Sequence, residues 1–122
     1  MIRSVTAHLH ESTLRRATEL LRADGEMFAQ CQRMLAPLER EDRERGHNLL
    51  QTLQTYYECG LRVDKTAERM FLHRNSVRYR LDRVRSLLRC DIDDPQTISA
   101  CVLALSICRR PAPGKVGHEH AI

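Results

Sequence analysis

The chain has no run of about 18 apolar residues, so no segment of it reads as a membrane-spanning helix. Its first residues lack the charged-then-apolar layout of a secretory signal. Cysteine supplies no framework. The five thiols stand at 31, 59, 90, 101 and 108, an odd number with no C-x-x-C pair, which argues against disulfide and zinc patterns. They read as reduced thiols, and a reducing cytoplasm is the compartment expected. Glycine is sparse at five residues, and none forms a phosphate-cradling loop. No nucleophile sits beside a base and no carboxylate pair suggests a cleft, so neither enzymatic activity nor a cofactor is expected. What 122 residues with 42% hydrophobic and 30% charged content do supply is one compact domain with a modest core and tails.

The pattern that organises the chain is VDKTAERMFLHRNSVRYRLDRVRSLL, residues 63–88. A short helical pattern, Lys65 to Met70, is followed by a four-residue break and a longer one from Arg74 to Leu88. In the second, Val77, Leu81, Val84 and Leu88 form one apolar stripe. The other faces carry Arg74, Asn75, Ser76, Arg78, Tyr79, Arg80, Arg83 and Arg85. A short helix, a tight turn and an arginine-rich helix are the parts of a helix-turn-helix DNA reader.

Charge is concentrated on the same stretch. Residues 61–90 hold nine Lys/Arg and three acids, a net +6, whereas the whole chain is +4 and the remainder −2. An arginine face alone is usually only a solvated face. Joined to helix-turn-helix spacing, it reads as a phosphate-neutralising patch.

HRNSVRYRL, His73 to Leu81, resembles the reader-helix motif of the PucR-type, sugar-diacid-regulator-like bacterial transcription factors, roughly V-H-R-N-T-V-R-Y-R-L. Leu72 takes the Val place and Ser76 the Thr place. Upstream, Leu50, Leu53, Tyr56 and Gly60 resemble the family's L-x-x-L-x-x-Y before a glycine, and Thr66-Ala67 its small pair. Downstream, Asp91-Ile92-Asp93-Asp94-Pro95 resembles D-L-D-D-P. The similarity spans roughly residues 35 to 109. It implies an all-α fold, a small helical bundle with a Fis-like helix-turn-helix preceded by one or two extra helices. It also implies a larger sensory region ahead in typical members, so the chain reads as a fragment or truncated paralogue. Phe71 departs from the small residue often found at the turn. If it is left-handed, the strain is about 1–2 kcal/mol, unless the turn is displaced or the ring is buried between the helices.

The rest of the chain divides by pattern. Residues 1–12 have little periodicity and read as a disordered extension, and His8 and His10 as solvated rather than metal-bound. Residues 13–46 read as lead-in helices and a charged connector. One helix is predicted from Thr13 to Ala23, with Leu14, Ala17, Leu20 and Leu21 inward, ended by Asp24-Gly25. A second is predicted from Glu26 to Ala36, stopped by Pro37. EREDRERG, 39–46, reads as a solvated connector. Residues 47–109 form the expected DNA-binding domain. His47 or Asn48 would cap its first helix, which places Leu49, Leu50, Leu53 and Tyr57 inward and stops at Gly60. Asp64 would cap the next. Asp94, ahead of Pro95, reads as a helix cap rather than a metal ligand beside Asp91 and Asp93, and no metal is expected. The last helix, about Gln96 to Cys108, is broadly apolar and must be either central to the core or a dimer seam. Residues 110–122 read as a disordered tail.

The expected function is transcription regulation, with double-stranded DNA as partner and a homodimer, or pairing with a longer regulator, as assembly. Arg74 and Asn75 are expected to meet base edges and Arg78 to do either job. Ser76, Tyr79, Arg80 and Arg83 are expected on phosphates, and His73 to cap the helix or touch backbone. The alternative is a truncated interaction module that pairs with full-length regulators and binds DNA weakly.

Overall fold

The computed structural model describes residues 2–108, with side chains from residue 9 onward. Among them are six helices and no strand: α1 (Ile2–Arg22), α2 (Gly25–Arg45), α3 (Leu49–Glu58), α4 (Val63–Met70), α5 (Arg74–Leu88) and α6 (Pro95–Cys108). The all-α bundle that the resemblance implies holds among the described residues. The expected tail, 110–122, lies outside the described residues.

The helix expected from Thr13 begins at Ile2, so residues 2–12, read as part of a disordered extension, are helical. No Gly or Pro interrupts residues 2–24, and propagating an existing helix is far easier than nucleating one. A search for an apolar stripe misses such a segment. The inward face of α1 is Ala17, Thr18 and Leu21, while Leu14 and Leu20 point out, against expectation. Arg22 closes the other end of the bundle. Its Nε and Nη2 donate to the carbonyls of Ile107 and Ser106 at 3.0 and 2.7 Å, satisfying the C-terminus of α6.

Pro37 does not stop the second helix. α2 runs through it to Arg45 and absorbs most of the expected connector. A proline inside a helix costs about 3 kcal/mol. Cys31, Leu35, Leu38 and Glu41, all buried, continue one stripe across the proline, and burial of that stripe offsets the cost. α1 ends at Arg22, just before the expected Asp24-Gly25, and Asp24 also caps α2, its Oδ1 accepting from the amides of Glu26 and Met27.

Neither His47 nor Asn48 caps α3 through its side chain. Asn48 is left-handed, and the carboxylate of Asp42, at the end of α2, accepts from the amides of Leu49 and Leu50. The cap is tertiary, which explains why local sequence did not reveal it. Arg62 rather than Asp64 is the N-cap of α4. Asp64 sits in its first turn, 3.1 Å from Arg62.

The core gathers Leu38, Leu49, Leu53, Val77, Leu81, Val84, Ile92, Cys101 and Ile107. α6 packs on α2, α1 and α3, with Cys101, Ala104, Leu105 and Ile107 buried. Its broad apolar face is therefore central to the core. Burial pushes the Cys31 and Cys101 thiols up, which keeps them protonated.

Candidate nucleic-acid interface

α4 and α5 form the turn that positions the site. The amide of Leu72 donates to the Ala67 carbonyl at 2.9 Å and that of Phe71 to Glu68 at 3.3 Å, the two bonds of a Schellman ending. Phe71 therefore occupies the left-handed position, with φ of 56°, where glycine is usual. Its ring is 94% exposed, so the turn is neither displaced nor compensated by burial of the ring.

His73 starts α5. Its Nδ1 accepts from the Asn75 amide at 3.0 Å, which makes it the N-cap. An accepting Nδ1 leaves the ring proton on Nε2. Val77, Leu81 and Val84 bury one face of α5 against α3, α4 and α2. On the opposite side His73, Arg74, Asn75, Ser76, Arg78 and Tyr79 are all exposed. The Arg74 side chain makes no hydrogen bond or ion pair among the described residues, and that of Arg78 reaches only the Asn75 side chain, at 3.4 Å. One exposed turn thus carries two forked cations and an amide, groups that match purine edges.

The expected phosphate holders separate. Ser76 and Tyr79 are exposed, and Tyr79 meets the His47 ring edge-on at 6.0 Å. Arg80 is half-buried, with Nη1 donating to Thr52 Oγ1 at 3.3 Å. Arg83 is half-buried and points toward α2. Its Nε and Nη2 donate to Glu41 Oε2 and Oε1 at 2.8 and 2.9 Å, so this expected phosphate holder is engaged by a carboxylate of the bundle. Glu41 is buried and takes a further contact from His47 Nδ1 at 3.2 Å. Hydrogen bonds from Arg83 hold its carboxyl down at about 2. Glu41 lay in a run read as solvated. Continuing the stripe of Leu35 and Leu38 through Pro37 is the signal that finds it.

The aspartates of the loop before α6 each have a structural partner. Asp91 Oδ1 accepts from the Asp93 amide, Asp93 from Tyr56, and Asp94 caps α6 through Gln96 and Thr97. Among the described residues no cluster of three or more His, Cys, Asp or Glu could hold a metal ion, and no helix is long and apolar enough to cross a membrane.

Residues 49–107 match the family described as the PucR C-terminal helix-turn-helix domain. The chain is similar to the purine catabolism regulatory protein of Bacillus subtilis (strain 168), 38% identical over 69 residues that make up 57% of this chain and 13% of that protein. It is 29% identical over 76 residues to the proline-responsive transcriptional activator PutR of the same organism, 62% of this chain and 18% of that one. An uncharacterized protein of Mycobacterium tuberculosis (strain ATCC 25618 / H37Rv) is 37% identical over 51 residues, 42% and 12% of the two chains. The matched region spans less than a fifth of each of these relatives. No solved structure matches.

Proposed function

We propose, given that residues 49–107 form a PucR C-terminal helix-turn-helix domain, that the chain binds double-stranded DNA and regulates transcription by laying α5 in the major groove. The observation that carries this is the exposed first turn of α5, with Arg74, Asn75 and Arg78 held over a buried stripe by the His73 cap. Arg74 pairs with a guanine edge and Asn75 with an adenine, and Arg78 extends the readout. Ser76, Tyr79 and Arg80 hold the backbone. Two copies related by two-fold symmetry would read half-sites about 34 Å apart. The names of two relatives, a regulatory protein and a transcriptional activator, support the class of function.

Fluorescence anisotropy tests this with duplexes selected from a random pool and shuffled controls, at several salt concentrations. Tighter binding to selected duplexes, with a salt slope equal to several phosphates, is expected. Equal and steeply salt-dependent binding to both would reduce the patch to non-specific attraction. A second reading, pairing with a longer regulator, draws support from Leu9 and Leu20, which α1 leaves 58% and 71% exposed. Light scattering would separate a lone protein from one that associates.

A further inference from the structure

Glu41 stands on α2, outside the residues 49–107 that match the family. Both its oxygens are engaged, by the fork of Arg83 on α5 and by His47 in the connection to α3. His47 in turn meets Tyr79, four residues before Arg83 on α5. One buried carboxylate on α2 therefore reaches α5 twice, once directly and once through a ring. The adjacent Asp42 closes the first turn of α3. Two consecutive acids thus tie α2 to the two helices on either side of α4.

A buried ion pair is often no better for stability than apolar residues of the same volume. What a two-bond fork adds is direction. Apolar packing of the buried stripe of α5 on its neighbours is non-directional and resists a slight roll about the axis weakly, whereas parallel N–H···O bonds from one guanidinium resist rolling. Rolling decides what the exposed turn can read. With side-chain tips about 5–6 Å from the axis, a turn of about 10° moves them by about 1 Å, enough to break paired hydrogen bonds to a base. Arg83 lies about one and a half to two and a half turns from Arg78, Asn75 and Arg74 on the same rigid helix.

We propose that Glu41 is a positioning residue for DNA reading: its grip on Arg83, backed by His47, sets the rotation of α5 and so the register in which Arg74, Asn75 and Arg78 meet base edges. This rests on α5 being the reader. The α2 helix is then part of the reading unit, and a domain cut at residue 49 lacks the group that aims it. Because the Glu41 carboxyl is held far below the usual range, the grip stays charged at every pH where DNA binding is measured.

The test uses the full chain and three variants, Glu41→Gln, Arg83→Met and the double Glu41→Met/Arg83→Met. The double variant replaces the pair with apolar volume and is the one expected to keep its thermal midpoint. The readout is the ratio of affinities for duplexes selected by the unmodified protein and for shuffled duplexes. A fall of about tenfold is expected in Glu41→Gln and in the double variant, with the salt slope unchanged because no phosphate contact is lost. A retained ratio in either variant, or a ratio that merely follows the thermal midpoint, overturns the proposal. So does a salt slope smaller by about one phosphate in Arg83→Met, which would put Arg83 on DNA. If the unmodified protein enriches no sequence, the DNA-reading function itself fails. The proposal is then decided by residual dipolar couplings of α5 amides relative to α6. A reorientation of α5 in Glu41→Gln upholds positioning by Glu41, and an unchanged orientation overturns it.

Discussion

The Tyr56 hydroxyl donates to Asp93 Oδ1 at 2.8 Å, and the neighbouring Tyr57 hydroxyl donates to the Ile92 carbonyl at 2.9 Å. Two consecutive tyrosines on α3 thus fasten the loop that carries Ile92 into the core and starts α6. Arg85 of α5 approaches the same Asp93 at 3.5 Å, so the loop also joins α3 to α5. Burial, with Asp93 alongside, pushes Tyr56 up to about 12, and burial raises Tyr57 as well. Both hydroxyls remain donors at any ordinary pH.

Tyr56→Phe should therefore lower the unfolding free energy by about 1.5 kcal/mol, the lower end of the range for a hydrogen bond to a charged acceptor because Asp93 is exposed. A double-mutant cycle with Asp93→Ala, followed by urea denaturation, isolates the pair. A coupling of about 1 kcal/mol is expected. Additive losses would mean that the two groups do not support each other.

Phe71 gives a prediction of opposite sign. Its φ of 56° is unfavourable for a side chain with a Cβ, and its exposed ring returns little packing. Phe71→Gly should raise stability by about 1 kcal/mol, because the relief of strain exceeds the extra freedom glycine gives the unfolded chain. A higher urea midpoint with an unchanged slope checks it. A loss of stability would show that the exposed ring contributes to packing after all.

Much of this was legible in the sequence. The stripe of Val77, Leu81 and Val84, the Asp94 cap and the exposed polar turn all follow from local spacing, and local spacing is what one sequence records well. The features it concealed are tertiary. Pro37 and the charged run after it argue locally for a stop, yet Leu38 and Glu41 are buried against the rest of the bundle. Asp42 caps a helix that begins seven residues later. Arg83 is indistinguishable by type from Arg74 or Arg78, and only the position of Glu41 shows that it is paired within the bundle.

Acid should expose the Glu41 pair. The folded protein holds this carboxyl at about 2, below its ordinary 4.5. The unfolded chain therefore takes up the proton first as the pH falls. The stabilisation is complete above about pH 4.5 and drains away toward about pH 2. Thermal midpoints measured across this window should fall more steeply for the unmodified protein than for Glu41→Gln, which has no proton to bind there. Asp64, also lowered, is common to both and cancels. Parallel curves would sink the assignment.

Base and phosphate contacts leave different marks on DNA binding, and the exposed turn allows both to be tested on one helix. Arg74→Ala should cost about 1–3 kcal/mol on a selected duplex and relax the preference at one base position, because a forked donor facing a purine edge is lost. On shuffled duplexes it should cost much less. Arg80 lies half-buried against Thr52, with the rest of its guanidinium available to the backbone. Arg80→Ala should weaken selected and shuffled duplexes alike and reduce the salt slope by about one phosphate. Selection from a random pool with each variant, followed by anisotropy at three salt concentrations, separates the two. If Arg74→Ala selects the same sequence as the unmodified protein, Arg74 does not read a base, and Asn75 and Arg78 must account for the preference.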